Sequence, residues 1–259
     1  MNGQIANASD VAFTVRSYEA GITNHVTLPT LCNYMQEAAG ISAARLGWGI
    51  QTLQSEGLTW MLSRLRVSVQ RYVPWGETIT VRTWPSGVKG RLIAKRCFLG
   101  LDEKGAELFR ASSEWLYVDM AAQKIAKLPE TFADLVPAGT PDFELSNIGG
   151  KFARLPSVEG CAEILTRHSD LDFNDHVNNV HYVEWMLEGD GGGDGDGHAG
   201  RVTLPGEIDI VFRQAAKAGE SLVSEFCADG EKTLHAIRRT SDNAILATAA
   251  MFPLKEVGA

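Results

Sequence analysis

Between Ser169 and Asn179 the chain concentrates side chains that can move protons and hold polar atoms. The stretch SDLDFNDHVNN contains three aspartates, three asparagines and one histidine, and an apolar segment follows it immediately. Asp172, Asn174 and His176 alternate, so an extended backbone would place a carboxylate, an amide and an imidazole on one face. Such groups can supply a general base, a positioning hydrogen bond and part of an oxyanion site. The pattern predicts hydrolysis of an acyl group by an activated water.

The segment His176–Glu188 predicts a helix that is buried on most sides. Its apolar side chains cover well over half of the helix surface, and the narrow polar stripe that remains consists of His181, Glu184 and Glu188. The polar trio would lie at the helix N-terminus, where unpaired backbone N–H groups favour anions. We expect the N–H groups of Val177 and Asn178 to stabilise an oxyanion. One of the preceding Asp or Asn side chains should cap the helix.

Metal interpretations of these residues fail on spacing. The stretch begins like a calcium loop, but Asp175 takes the sixth position, where glycine is required, and His181 takes the twelfth, where a bidentate Glu belongs. Histidines also stand at 168, 176 and 181, yet only His176 lies on the predicted face, which disfavours zinc. We expect no metal and no other cofactor.

The elements that must position the trio occur twice along the chain. Each half offers a strand, a helix and then four strand-like runs, with alternation clear in Leu65-Val67-Val69. The run from Arg71 to the Gly-Glu pair at 76–77 matches the run from Arg213 to the pair at 219–220. A repeat of this kind predicts an α+β tandem (double) hotdog, with two antiparallel sheets that each wrap a long central helix.

Composition places the boundary between the halves. The stretch Pro129–Lys151 holds three prolines, several acidic residues and a Gly pair, which is typical of a linker. We predict an N-terminal hotdog over 1–135, a linker over 136–155, and a C-terminal, catalytic hotdog over 156–259. Seven of the thirteen residues in Glu188–Gly200 are glycine, which predicts a flexible surface loop.

Charge and hydropathy exclude several classes of protein. A net charge of −8 argues against non-specific nucleic-acid binding, which needs a basic surface. We see no secretory signal and no apolar run long enough to span a bilayer. The four cysteines are far apart, so we expect buried, reduced thiols in a cytoplasmic protein.

The run DLDFNDHVNNVHYVEWMLE resembles the signature of the acyl-acyl carrier protein (ACP) thioesterases of plants and bacteria. RSYE, NYMQEAAG, LGWG, TWMLSRLRVSVQRYVPWGETITVRTWP and SSEWLYVD in the first half resemble the same family. The resemblance implies a double hotdog in which Asp172, Asn174 and His176 are catalytic and the N-terminal copy shapes an acyl-chain tunnel. It implies hydrolysis of long-chain acyl-ACP to free fatty acid and holo-ACP.

The family pattern leaves alternatives and one departure. An acyl-CoA thioesterase, a hotdog dehydratase or hydratase, and a non-catalytic acyl-binding protein stay open. Plant members resemble YRREC on the strand after the site, whereas this chain has FRQAA, so Ala215 and Ala216 replace Glu and Cys. Gln214 could help to hold the water instead.

An acidic carrier protein would require local positive charge. The residues predicted to dock it are Arg64, Arg66, Arg71, Lys89, Arg91, Lys95 and Arg96. An ordinary strand with solvated basic ends explains them equally well. Two fused copies could satisfy the usual hotdog pairing, and a homodimer stays an open alternative.

Overall fold

The structure, a computed structural model, describes residues 5–143, 149–152, 154–189 and 204–254. The chain divides into two compact units, Met1–Leu145 and Ser146–Ala259. The predicted glycine-rich loop lies outside the described residues from 190 onwards, as does part of the predicted linker. In the described ranges, no helix combines the length and the apolarity needed to cross a membrane.

The first unit is an antiparallel sheet with one long helix. Its strands are β1 (Ser9–Thr14), β2 (Leu58–Val69), β3 (Thr78–Lys89), β4 (Ile93–Leu101), β5 (Glu107–Asp119) and β6 (Lys124–Ile125). They are ordered β1-β3-β4-β5-β2, with β6 paired to β5. Helix α1 (Leu28–Arg45) begins after Thr27, whose hydroxyl accepts a hydrogen bond from the Thr30 N–H group at 3.3 Å. A short helix α2 (Ile50–Ser55) follows.

The second unit repeats this plan. Its strands are β7 (Gly160–Leu165), β8 (Pro205–Phe212), β9 (Ser221–Asp229), β10 (Lys232–Arg239) and β11 (Ile245–Pro253), and its helix is α3 (Asn179–Gly189). The antiparallel order β7-β9-β10-β11-β8 corresponds strand by strand to that of the first unit. The predicted α+β fold with a repeated strand–helix–four-strand unit is confirmed.

Side-chain alternation builds each core because neighbouring residues of a strand point to opposite faces. In β2, Leu65, Val67 and Val69 are at most 6% exposed, as the sequence pattern predicted. Burial of this kind removes apolar surface from water and is the main stabilising contribution to such a sheet. The four cysteines are free; Cys161 is exposed, against expectation, because it lies on the face of β7 whose side chains, Cys161, Glu163 and Leu165, are all exposed.

A buried histidine in β10 predicts a pH-dependent stability. His235 is fully buried, its Nε2 lies 2.8 Å from the Thr233 hydroxyl, and burial lowers its pKa to about 4. The unfolded chain binds this proton near pH 6.5, so the stabilisation is complete above that pH and is lost as pH falls towards 4. We expect a loss of about 3 kcal/mol across this window, measured by urea unfolding.

The variant His235→Leu is the control for this pH dependence. It removes the titrating group, so the difference in unfolding free energy between pH 7 and pH 4 should shrink relative to the parent. An unchanged difference would contradict the assignment to His235.

Candidate active site

The polar trio lies on a tight turn, and this corrects the extended backbone that the sequence analysis assumed. The Asp172 N–H group donates to the His176 carbonyl at 2.8 Å, and the Asp175 N–H group donates to the Asp172 carbonyl at 3.1 Å. Asp175 has a φ of 59°, the left-handed conformation that Asp tolerates in turns. We call residues 167–178 the second loop. The trio is gathered by this closed turn rather than by strand alternation.

Two members of the trio are in direct contact. Asp172 Oδ1 accepts the backbone N–H of Asn174 at 2.8 Å, and the Asn174 side-chain amide lies 3.5 Å from Asp172 Oδ2. For His176, the described contact with Asp172 is through the backbone, and its imidazole makes no hydrogen bond within the described residues. All three residues are half-buried, so a substrate can reach them. The structure therefore brings carboxylate and amide together and leaves the imidazole available.

Helix α3 begins at Asn179, three residues later than predicted. Asn178 is the cap, because its Oδ1 accepts the Val180 N–H group at 3.0 Å. The capping role expected of the preceding Asp and Asn residues thus falls to Asn178. Asp172 and Asn174 are not used as helix caps.

The predicted oxyanion donors are wrong for this structure. The Val177 N–H group donates to the Ala216 carbonyl at 2.9 Å, and the Asn178 N–H group donates to the Asp170 carbonyl at 2.9 Å. Neither donor can turn to a substrate without breaking a bond that holds the loop. The N–H group of Asn179, the first helical residue, has no acceptor among the described residues.

The first unit contains the same turn with different side chains. We call residues 16–27 the first loop. Its Gly21 N–H donates to the His25 carbonyl at 2.9 Å, the Asn24 N–H donates to the Gly21 carbonyl at 2.9 Å, and Asn24 has a φ of 60°. Val26 donates to the Val73 carbonyl at 2.9 Å, as Val177 does to Ala216. The backbone of the second loop is therefore reproduced in the first.

Comparison of the two loops shows which side chains of the second loop the turn does not need. Gly21 and Thr23 occupy the places of Asp172 and Asn174, while His25 occupies the place of His176. The turn thus forms without the carboxylate and the amide, so these two groups are not required by the fold. The sequence contains a signal for this repeat that was not used above, since NHVT at 24–27 matches DHVN at 175–178.

Among the described residues, the Gln214 side chain, which follows β8, forms no hydrogen bond with the trio. Gln214 is exposed, and the bond described for it runs from its backbone N–H to the Leu246 carbonyl at 3.2 Å. Ala216 is fully buried, and the Ala215 carbonyl accepts a hydrogen bond from Arg239 Nη2 at 3.2 Å. The support predicted for Gln214 is not formed in the described residues.

Tyr182 connects α3 to the segment that holds the second loop. Its hydroxyl oxygen accepts the Ala216 N–H at 2.9 Å, and the Ala216 carbonyl in turn accepts the Val177 N–H. Burial raises the pKa of Tyr182 to about 12, so the hydroxyl stays neutral. The helical pattern by itself places Tyr182 on the apolar side of α3 and gives no sign of this hydrogen bond.

Tyr182→Phe should destabilise the protein by about 1–3 kcal/mol, because the buried Ala216 N–H loses its acceptor. Urea unfolding measures the effect. Tyr117→Phe is the matched control, since the Tyr117 hydroxyl makes no hydrogen bond within the described residues, and it should cost less. Equal costs for the two variants would rule out the hydrogen bond as the cause.

Most of the predicted docking cations are already paired. Ion pairs join Arg66 to Glu114 at 2.8 Å, Arg71 to Asp102 at 2.7 Å, Arg91 to Glu130 at 3.0 Å, and Lys95 to Asp142. Arg64 and Arg96 are half-buried, Lys89 is exposed, and Arg96 donates to the Ser42 hydroxyl of α1. Arg71 and the Lys89–Arg91 turn lie at opposite ends of the paired strands β2 to β5. The seven residues therefore do not form one patch.

The described residues contain no group of three or more His, Cys, Asp or Glu side chains that could hold a metal ion. His181 is instead engaged within α3: its Nδ1 lies 2.7 Å from Glu184 Oε2, and this contact raises the pKa of His181.

Comparison with known proteins connects this geometry to a family. Models of the acyl-ACP thioesterase N-terminal domain and C-terminal domain match residues 7–136 and 157–252. The chain belongs to the acyl-ACP thioesterase family. In family terms, the first loop lies in the N-terminal domain and the second loop in the C-terminal domain.

Curated acyl-ACP thioesterases from plants are similar to this chain in sequence. A chloroplastic palmitoyl-ACP thioesterase from Gossypium hirsutum is 32% identical over 187 residues, which cover 68% of this chain and 45% of that protein. A chloroplastic oleoyl-ACP thioesterase from Coriandrum sativum is 28% identical, over 68% of this chain and 52% of that protein. The chain thus spans about half the length of these relatives.

Solved structures show the fold. An acyl-ACP thioesterase from Bacteroides thetaiotaomicron matches with a TM-score of 0.79 at 20% identity, over 95% of this chain and 98% of that one. The 12:0-ACP thioesterase from Umbellularia californica matches with a TM-score of 0.77 at 22% identity, over 97% and 98%. The double hotdog expected for an acyl-ACP thioesterase is confirmed.

Proposed function

We propose that this chain hydrolyses the thioester of long-chain acyl-ACP and releases free fatty acid and holo-ACP. The observation that carries the proposal is the difference between the two loops, which share a backbone but not the Asp172 carboxylate and the Asn174 amide. Groups that the fold does not need, placed side by side on an accessible turn, are available for chemistry. Family membership supplies the reaction class.

The proposed reaction uses a water molecule as the nucleophile. Asp172 or His176 removes a proton from this water, and Asn174 orients the base or the water. The water oxygen bonds to the thioester carbonyl carbon, the carbon–sulfur bond breaks, and the leaving thiolate takes up a proton. The base contributes roughly 10²–10⁴-fold to the rate.

The negative charge that develops on the carbonyl oxygen requires a donor. We assign it to the Asn179 N–H at the start of α3, where the helix dipole also favours an anion. This replaces the assignment to Val177 and Asn178, whose N–H groups are occupied. One such donor contributes roughly 10²–10³-fold.

We propose an acyl-ACP as the substrate and a reducing compartment such as the cytoplasm as the location, since all four cysteines are free. Docking of the carrier would use Lys89 and Arg91, which are exposed in the turn between β3 and β4, whereas Arg71 follows the opposite end of β2. The N-terminal unit would accommodate the acyl chain, and the C-terminal unit would perform the chemistry.

A second function is favoured by one observation. Ala215 and Ala216 stand where the resemblance led us to expect Glu and Cys, and the Gln214 side chain forms no hydrogen bond with the trio among the described residues. A non-catalytic acyl-binding protein would have this composition. It would retain bound acyl chains without turnover.

A thiol-release assay tests the proposal. Purified protein is given acyl-ACP and acyl-CoA over a series of chain lengths, and kcat/KM is compared for the same acyl group on the two carriers. We expect thiol release with higher kcat/KM on acyl-ACP. Higher values on acyl-CoA would assign the chain to the CoA-dependent class, and binding without release would favour the acyl-binding function.

A further inference from the structure

Arg96 is a cation inside the first unit that has no acidic partner in the part of the chain that the structure describes. It lies on β4, and its Nη1 donates to the Ser42 hydroxyl of α1 at 3.0 Å and to the Thr83 hydroxyl of β3 at 3.2 Å. Among the described residues no carboxylate pairs with it, whereas Arg66, Arg71 and Arg91 all have one. Withdrawing part of a charged group from water without a counter-ion is costly, so the retention of Arg96 at this position calls for a function.

The polar side chains around Arg96 lie on the face of the sheet that packs against α1. Cross-strand pairing places Arg96 opposite Ser113 of β5, whose hydroxyl lies 3.5 Å from the Arg96 carbonyl and accepts the Trp115 indole N–H at 2.7 Å. Ser42, Thr83 and Ser113 are each at most 1% exposed. Three hydroxyls and one guanidinium thus form a polar group within an apolar helix–sheet interface. We call these four residues the Arg96 cluster.

One edge of the guanidinium is open. Both described bonds use Nη1, and within the described ranges neither Nε nor Nη2 meets an acceptor. Burial lowers the pKa of Arg96 to about 10, yet the residue keeps part of its surface accessible. Both facts are explained if Nε and Nη2 border a space inside the unit. That edge is the planar fork that binds a carboxylate with two parallel hydrogen bonds.

We propose that the Arg96 cluster binds the carboxylate of an amphiphilic acid whose apolar tail lies between α1 and the sheet. A monoanion balances the single charge, whereas a doubly charged phosphate would leave one charge buried and unpaired. A long-chain fatty acid is the occupant to which we commit, and only this identity rests on the proposed function. A thioester carries no charge at its carbonyl, so the cluster distinguishes the product of hydrolysis from the substrate.

Occupation of the cluster has a functional consequence. The product would bind in the unit proposed to accommodate the acyl chain, and it would compete there with the next substrate. Arg96 would then make the enzyme sensitive to accumulated fatty acid. Its effect would be product inhibition rather than a change in the chemical step.

Calorimetric titration of the full chain with dodecanoate tests this proposal. Methyl dodecanoate has the same tail without the charge, and we expect it to bind roughly 10- to 100-fold more weakly than the acid. Arg96→Met should weaken dodecanoate binding by a similar factor and leave the ester unaffected. Arg96→Lys keeps the charge without the fork and should lie between the two.

The controls separate the alternatives. Arg82→Met removes an arginine from the neighbouring strand β3, where it pairs with Asp10 at 2.7 Å, and should leave dodecanoate binding unchanged. If Arg96→Met does not fold, the comparison of acid with ester on the parent protein and on Arg96→Lys still decides. Ser42 lies in the last turn of α1, where the helix dipole favours a cation. The contrary result is therefore an Arg96 that only stabilises the end of this helix.

That contrary result has a clear signature. The proposal is overturned if the acid and the ester bind equally well, or if folded Arg96→Met binds dodecanoate as tightly as the parent does. It is also overturned if inorganic phosphate binds tightly and the acid is not preferred. Asp172→Gly should lower turnover by roughly 10²–10⁴-fold but retain dodecanoate binding. Failure of the proposed hydrolysis and failure of the carboxylate site are therefore distinguishable.

Discussion

Replacing Asp172 by glycine is expected to lower kcat for acyl-ACP hydrolysis by roughly 10²–10⁴-fold while the protein stays folded. Gly21 occupies the equivalent place in the first loop, where the same turn forms with the same hydrogen bonds. The substitution therefore removes the carboxylate at a position where glycine is already known to fit. Thiol release measures the rate, and urea unfolding measures the stability of the same sample.

A second variant at this position isolates the charge. Asp172→Asn retains an oxygen that can accept the Asn174 N–H group but has no negative charge. If the carboxylate acts as the base, this variant should be nearly as slow as Asp172→Gly. If it only orients Asn174, much of the rate should survive.

Asp175→Asn is the matched control for both variants. Asp175 is exposed on the same turn, and its left-handed conformation is one that Asn adopts readily. We expect a near-parental rate. A loss as large as that of Asp172→Gly would mean that the loop responds to any change of charge, and the specific role of Asp172 would be lost.

His176→Gln should reduce kcat by a comparable factor, whereas His25→Gln should not. The two histidines follow equivalent left-handed residues in the two loops, so the pair compares the same substitution in the same backbone. His25 Nδ1 lies 2.7 Å from the Thr23 carbonyl, while the His176 imidazole makes no hydrogen bond among the described residues. An available ring in the second loop is what a base or a substrate-binding group requires.

The pH profile of kcat/KM adds a readout that a structural role would not affect. If His176 is the base, His176→Gln should remove the acidic limb of the profile that the parent and His25→Gln share. If Asp172 is the base, the limb should persist in His176→Gln and be lost in Asp172→Asn. Equal loss of rate in the two histidine variants would contradict the assignment of chemistry to the second loop alone.

Much of the fold followed from patterns within short segments. The alternation in β2 predicted its buried face because the period of a strand is a local property of the backbone. The repeated element order predicted two similar units, and each has the same strand order. The type and order of Asp172, Asn174 and His176 predicted an acyl-transfer site, and that assignment stays a prediction.

The loop itself was not predictable in this way. Alternating polar residues suggested a strand, but Asp175 adopts a left-handed conformation and the chain closes on itself between Asp172 and His176. Helix α3 then starts at Asn179 because Asn178 provides the cap. The φ angle of Asp175 decides whether the chain turns or continues as a strand. Asp adopts both the left-handed and the extended conformation, so the residue type does not predict which one forms.

The amino-acid sequence specifies which chemical groups are present and on which face of a strand or helix each one lies. Both properties depend on residues that are only a few positions apart. Tertiary contacts decide which of these groups can still bind a substrate or a partner. The Ala216 carbonyl accepts the Val177 N–H, Glu114 forms an ion pair with Arg66, and Ser42 of α1 accepts a hydrogen bond from Arg96. Each contact joins residues about 40 to 55 positions apart in the chain. Hydrogen bonds and burial depend on distance in space, which no local pattern of residues specifies.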